Sequence, residues 1–508
     1  MDASPGHPMS AADWAQFDAL QQRLPALFSR IFHDHAAERT VVVVPGLSLD
    51  PEMLAKVSGA RFYEERMLSM LMLLRMPSTH VVFVTSVPID PAVIDYYLGL
   101  LPGIPGRHAR QRLTLISTHD ASATSLTQKI LDRPRLIERI RRSIPNRETA
   151  HLSVFNTTDL EAKLACELAI PLYACDPRLQ YWGSKSGSRE AFRLAGIDFP
   201  DGAEQRQNLA EASAAIVAMR QRDPGLRRVV LKLEQGFSGD GNARMDLSGL
   251  PADADSEAIA SALREQVEPE ARDTSAAEFC AKYDRDGGIV EAWIEGENKS
   301  SPSVQLRINP LRQIELISTH DQELGGRSGQ VFLGSQFPAH PRYRQQLHEA
   351  AIKVAEVFVE KGILGRFSVD FLHCEHDGVA QLQAIEVNLR KGGTTLPYQM
   401  LQFLTAGRYD DARGEFLTRL GQPRAYVATD NLQKPAYRRL CPDDLIDVLV
   451  QNGLHFDNTR QAGVVFNLIG ALSEFGKLGM VSIAEDRAAA QAQYDSAVAV
   501  LDREAQVG

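Results

Sequence analysis

Cysteine is scarce in this 508-residue chain: Cys166, Cys175, Cys280, Cys374 and Cys441 are odd in number and widely scattered. None belongs to a CxxC pair, so neither a disulfide framework nor a zinc site is indicated, and a reducing cytoplasmic setting fits. Long apolar runs are also missing. The most apolar stretch, residues 67–76, is too short to span a bilayer and contains Arg75. The opening MDASPGHPMSAADW lacks the basic-then-apolar order of a secretory signal. Positive charge is in deficit, with a formal net charge of −10. That balance speaks against a nucleic-acid partner while leaving room for a local basic pocket that takes a nucleotide.

What is present is ordinary globular material, 44% hydrophobic and 24% charged, long enough for two to four domains. Helical spacing over residues 13–32 leads into the apolar strand Thr40-Val-Val-Val-Val, which ends at Pro45-Gly46. Further strands at residues 80–85 and 113–117 alternate with helical stretches, and this order predicts an open parallel α/β sheet. Ser86, Thr118, His119 and Asp120 stand at strand ends, where ligands bind but where turn residues also gather. The arginine-rich run 133–147 carries Leu136, Ile137, Ile140 and Ile144 on one face, the pattern of a solvated helix with basic flanks. LISTHD occurs at residues 115–120 and again at 316–321, but the flanking sequences differ, so no duplication is inferred.

Farther along, strand 228–233 bears Lys232 and runs into a stretch with Gly236, Gly239 and Gly241 around Ser238. The backbone N–H groups of such a loop can close over phosphates, although the stretch is neither GxxxxGK[ST] nor GxGxxG. Residues 288–296, GIVEAWIEG, offer a carboxylate at Glu291 for an exocyclic amine and a flat wall at Trp293, which suits adenine and equally suits a plain strand. A hairpin is expected over Asn309-Pro310, then a glycine-rich loop with Arg327 over 321–337, then a helix over 340–361. Beyond residue 411 the pattern restarts as a small α+β region.

The densest chemistry lies in residues 365–390, GRFSVDFLHCEHDGVAQLQAIEVNLR. His376-Asp377-Gly378 predicts a three-residue hairpin loop with Gly378 left-handed. In that register Ala384 faces Asp370, and Glu386 and Asn388 lie on Asp370's face. The two carboxylates are then diagonal neighbours roughly 7–8 Å apart at the backbone. Two acids and an amide suit magnesium, which takes one or two carboxylates from the protein and the rest from phosphates. The same residues also fit a solvated hairpin face. Arg390, two beyond Asn388, adds a cation on that face.

With Lys185, Lys232, the glycine loop, Glu291-Ala-Trp-Ile, Asp370 and Glu386-Val-Asn-Leu-Arg in this order, the chain resembles the ATP-grasp superfamily, and within it the pheganomycin-type peptide ligase group. Phe62-Tyr-Glu-Glu-Arg, Ser318-Thr-His-Asp-Gln and Ser473-Glu-Phe-Gly-Lys-Leu-Gly are similar to landmarks of that group. The resemblance implies a parallel α/β pre-ATP-grasp domain over 1–178, a two-subdomain ATP-grasp fold over 179–410 and a C-terminal α+β domain over 411–508. It implies ATP and magnesium, as two ions, with Lys185 and Lys232 on the phosphates or adenine and Ser238 and Gly239 in the lid loop. Glu291 with the Trp293 and Ile294 backbone would meet adenine, and Glu297 or Asn298 the ribose. Asp370, Glu386 and Asn388 would hold the metal. Arg366 or Arg390 would steady the acyl-phosphate and tetrahedral intermediates, although relatives place that arginine where this chain has Ser368. The activity implied is an ATP-dependent ligase joining a small carboxylate to an amine or peptide, without nucleic acid or membrane. The nucleotide site taken alone also fits a phosphotransferase on a hydroxyl or a non-catalytic nucleotide binder. His320 is read as structural, or as a substrate contact or proton acceptor.

Overall fold

The computed structural model describes residues 7–48, 59–234, 241–271, 274–325, 329 and 331–507. Its first sheet is parallel and runs in the order β3-β2-β1-β4, from β1 (Arg39–Val44), β2 (Thr79–Thr85), β3 (Leu113–Ser117) and β4 (Ala150–Val154). β1 is RTVVVV, buried at all six positions. An unbroken β-branched run covered on both faces is what a central parallel strand requires. Its side chains alternate between two cores. Val42 and Val44 join Ile130, Ile137 and Leu164 on one side, and Val41 and Val43 join Met67, Leu68 and Tyr97 on the other. The second core includes the apolar run 67–76, which forms part of a helical segment of 3₁₀ geometry, Ala60–Arg75. The basic run folds as expected, into helix Pro134–Arg142 with Leu136, Ile137 and Ile140 buried.

The second sheet is antiparallel, in the order β5-β9-β6-β7-β8, from β5 (Gly202–Arg206), β6 (Arg228–Leu233), β7 (Asn242–Asp246), β8 (Glu268–Pro269) and β9 (Gly288–Ala292). The third is the largest. It consists of β10 (Glu297–Ile308), β11 (Ile314–Gly325), β12 (Val331–Phe337), β13 (Gly365–His376), β14 (Val379–Asn388), β15 (Arg408–Asp410), β16 (Glu415–Leu417), β17 (Pro423–Gln433), β18 (Gly463–Asn467) and β19 (Lys477–Ala484). The order is β14-β13-β10-β11-β12-β17-β16-β15, with β19 also paired to β17 and β18 to β19.

One expectation is corrected here and another is extended. The stretch 321–337 is mostly strand, because β11 runs on to Gly325 and pairs with β12; Gly326, Arg327, Ser328 and Gln330 lie outside the described residues. The C-terminal region has the expected mixture of helix and strand, and its strands extend the third sheet, since β17 pairs with β12 and carries that sheet into residues 423–484. β19 is a strand that the sequence analysis does not single out. The two LISTHD copies differ in structure as well. The first ends β3 and turns at His119 (φ 55°), whereas the second lies inside β11. No helix among the described residues is long and apolar enough to cross a membrane.

Candidate active site

The hairpin of β13 and β14 turns on two residues, not three. His376 pairs with Val379, and Asp377 and Gly378 both take positive φ (50° and 76°). This is the tight Asp-Gly turn whose twist matches its strands. That register alone would set Asp370 against Ile385 and send Glu386 to the opposite face. A bulge between Asp370 and Phe371 restores the parity, so Asp370 lies directly opposite Glu386 and Ser368 opposite Asn388. The three expected ligands thus share a face, but the bulge puts them there, and the carboxylates are direct rather than diagonal neighbours.

Asp370 gathers donors from three strands: Ser303 Oγ at 2.7 Å, Gln322 Nε2 at 3.0 Å and Asn388 Nδ2 at 2.9 Å. Burial, and then the charge of Glu386, pushes its carboxyl up to about 6. Burial works against ionisation of Glu386 too, but Lys185, with Nζ at 2.5 Å from Oε2, outweighs it and holds Glu386 below the usual carboxylate range. Among the described residues, no group of three His, Cys, Asp and Glu converges for a metal. Two carboxylates and an amide do converge, an all-oxygen set crowded with negative charge, and this fits magnesium sharing its remaining positions with phosphate oxygens and water.

Lys185 is the first residue of helix Lys185–Ala195, capped by Ser184 Oγ on the Gly187 N–H. Gly187 is required there, since a Cβ would fall 1.9 Å from the Tyr181 carbonyl oxygen. One turn on, Arg189 donates from Nη1 to Glu291 Oε1 at 2.6 Å and to the Pro200 carbonyl at 2.8 Å. Lys232 Nζ lies 2.5 Å from the other oxygen, Oε2 of Glu291. Burial raises the Glu291 pKa, but Lys232 and then Arg189 bring it below the ordinary value. Glu291 is therefore held between two buried cations, and its carboxylate anchors them. Trp293 is flanked by Arg228, Arg244 and Lys299, each within 6 Å of its ring centroid, and Lys299 Nζ donates to the Ile294 carbonyl at 2.6 Å.

These residues line a single cleft of about 740 Å³ that includes Lys232, Glu291, Trp293, Ile294, Asp370, Glu386, Asn388 and Arg390. Three candidates are placed elsewhere. Asn298 donates to Glu375 on the exposed outer side of the hairpin. Lys185 is buried against Glu386 and is not part of the lining. Arg366 lines a different, adjoining cavity. Ser238 and Gly239 lie outside the described residues. His320 is fully buried, with Nε2 2.7 Å from Tyr426 Oη, and burial lowers its pKa to about 3. It is a structural histidine.

Sequence reasoning missed the far wall of the cleft. Tyr63 and Arg66 reach it from the segment Ala60–Arg75, and Asp430 and Asn431 from β17. Arg66 Nη1 donates to Asp430 at 2.8 Å and its guanidinium packs over Tyr63 and Phe155. The signal for it is the landmark Phe62-Tyr-Glu-Glu-Arg, which the sequence alone leaves without a role. Arg189, four residues after Lys185 in the same helix, carries no such signal.

Residues 256–412 match the family described as IQCH-like, ATP-grasp, and residues 444–497 match the PGM1 C-terminal domain. L-propargylglycine–L-glutamate ligase of Streptantibioticus cattleyicolor is 29% identical over 479 residues, covering 92% of this chain and 95% of that protein. IQ motif-containing protein H of Danio rerio is 23% identical over 445 residues, which span 78% of this chain and 42% of that protein. Among solved structures, the biotin carboxylase–β,γ-ATP complex from Campylobacter jejuni superposes with a TM-score of 0.55 at 14% identity, covering 91% of each chain. N5-carboxyaminoimidazole synthetase from Staphylococcus aureus complexed with ADP gives 0.50 at 13% identity, covering 92% of this chain and 98% of that one. At these identities the two structures speak for the fold.

Proposed function

We propose, from the premise that this chain belongs to the ATP-grasp superfamily, that it is an ATP-dependent carboxylate–amine ligase of the peptide-ligase kind, acting on a small carboxylic acid and an amine or short peptide. A carboxylate oxygen attacks the γ-phosphorus, the bond to the β,γ-bridging oxygen breaks, and ADP leaves. The amine nitrogen then attacks the acyl carbon, the bond to the phosphate oxygen breaks, and phosphate departs with the electron pair while the nitrogen loses a proton. Asp370, Glu386 and Asn388 would hold magnesium, as one ion or two. Magnesium, when bound, offsets charge on the phosphate oxygens.

The observation that carries this reading is the half-buried pair Asp370–Glu386, opposed on one ladder rung in the same cleft as Lys232, Glu291 and Trp293. In this role Lys185 sets the ionisation of Glu386, and Lys232, held by Glu291, presents its charge to phosphate. Arg390 interacts electrostatically with Glu386 and Asp370 and would be the arginine that steadies the acyl phosphate, which needs a fixed donor where negative charge develops. At the far wall Arg66 and Asp430 present one cation and one anion, matching the two charged ends of an amino acid or peptide. The experiment is ADP release over carboxylic acids crossed with amines and short peptides. Amide formed one-for-one with ADP supports the ligase. A stable phosphorylated alcohol, or ATP binding without turnover on any pair, would refute it.

A further inference from the structure

A second cavity of about 500 Å³ adjoins the cleft, and Phe155 and Arg390 line both. It lies between the first domain, with helix Leu24–His33, β1, β4 and the segment Ala60–Arg75, and the third sheet, where β10 and β14 end and β13 begins. Its walls are mainly apolar: Leu24, Leu27, Ile31, Met70, Leu73 and Phe403. Among the described residues, the lining has no carboxylate and carries the basic side chains Arg39, Arg307, Arg366, Arg390 and Lys391, the last pushed down to about 7 by burial. Arg39 is spent on the carbonyls of residues 34, 35 and 37, and Arg307 pairs with Glu315 outside the cavity wall. Arg366 differs, because its Nη1 is buried without a hydrogen-bond partner. A buried guanidinium nitrogen left unpaired is costly, and because Arg366 lines this cavity an acceptor on a bound ligand would relieve that cost.

We propose that this cavity holds the acyl donor, an organic acid with an apolar body. The body lies along the Leu24–Ile31 and Met70–Leu73 walls, the carboxyl end reaches the cleft at Arg390, and Arg366 donates to an oxygen of the same molecule. This rests on the ligase reading and adds the substrate class to it. Apolar walls supply affinity in proportion to the area they cover, and a wall of cations without carboxylates rejects amines of the same shape. The acceptor amine then enters from the other side of Arg390, past Arg66 and Asp430.

The test is steady-state ADP release with linear and aryl-substituted carboxylic acids from acetate upward, and with the matching α-amino acids, at saturating ATP and amine. In the unsubstituted enzyme kcat/KM for the acid should rise by about tenfold or more from acetate to the best apolar acid, as burial of two or three methylenes gives. Leu27→Trp, which fills the cavity, and Arg366→Met should each raise KM for that acid about tenfold, with KM for ATP within about twofold and part of the loss recovered in Arg366→Lys. Gln402→Trp, from the opposite wall, repeats the filling if Leu27→Trp melts early. A profile flat in apolar size, or an unchanged acid KM in both filled variants, would overturn the proposal while leaving the ligase standing. No ADP release with any acid in the unsubstituted enzyme would overturn the ligase reading itself, and this proposal with it.

Discussion

Charge at individual residues is the cleft's main resource, and most of it is already paired before any ligand arrives. Lys232 shows the consequence. Its ammonium is buried and bound to Glu291, so Lys232→Met removes the proposed phosphate contact and also strips one partner from a buried carboxylate. ATP affinity should fall by about tenfold, ~1.4 kcal/mol, and the fold should lose about 1–3 kcal/mol, less than for a lone buried charge because Arg189 stays on the other oxygen. Calorimetry and thermal melts separate the two effects. The double variant Lys232→Met/Glu291→Gln should regain much of the stability and none of the ATP affinity. Recovery of both would show that Lys232 acts only as a counterion to Glu291. Sequence alone identified Lys232 and Glu291 but assigned them to separate duties, since a pair made across neighbouring strands leaves no trace in local spacing.

The element that matters most is the hairpin of β13 and β14, where one inserted residue decides the outcome. With a two-residue Asp-Gly turn, regular pairing sends Glu386 away from Asp370, and the bulge at Ile385 returns it. Deleting Ile385 should therefore abolish magnesium-dependent ADP release while the sheet, monitored by far-UV circular dichroism, persists. Activity retained in that variant would mean that the carboxylate pair is not the metal site. The acids, the position of the turn and the shared face were legible in the residues, because period-two alternation and Asp-Gly are strong local signals, but the turn's length was not. The bulge was not, since nothing in Gln383-Ala-Ile-Glu marks an extra residue. The expected three-residue loop placed the ligands on one face through a compensating error. The strand continuity of β11 and β12 was hidden for a related reason: Gly325 and Gly334 look like loop residues, yet Gly334 sits where a Cβ would meet the Ala428 carbonyl at 2.5 Å, which is a demand of close strand packing.

At the scale of the whole molecule, the C-terminal region is stitched into the rest by the third sheet and by buried polar contacts. β12 and β17 pair across some ninety residues of sequence, a partnership no local pattern can announce, so a separate docked domain was the natural expectation. Glu65 is one of the stitches. It lies in the segment Ala60–Arg75 and accepts from the Gly470 N–H at 2.9 Å. Burial pushes its carboxyl up to about 7, and Glu64 beside it is raised to the same range, again by burial. A carboxyl raised on folding favours the native state most when protonated. That stability is fully present below the unfolded value of 4.5 and is lost as pH climbs through about 7. Glu65→Gln should flatten the fall of melting temperature between pH 5 and 7.5 by about half, since Glu64 still titrates, and should raise the melting temperature at pH 8. Scanning calorimetry across that range checks it, and an unchanged slope would show that Glu65 does not titrate there. The parallel sheet and the residues that line the cleft from β6, β9, β13 and β14 were legible because each motif sits on its own strand or turn. The far wall was not, because Arg66 and Asp430 come from opposite ends of the chain and meet only after the sheets assemble.

The central claim is that the acid is activated as an acyl phosphate in the cleft around Asp370 and Glu386. It is tested most directly with a carboxylic acid labelled with oxygen-18 in both carboxyl oxygens, turned over with ATP and an amine. The inorganic phosphate is then read by mass spectrometry. The account predicts one labelled oxygen in each phosphate released, one label left in the amide, ADP as the nucleotide product, and loss of the transfer in Glu386→Ala. Phosphate free of label, or label appearing in AMP, would contradict it.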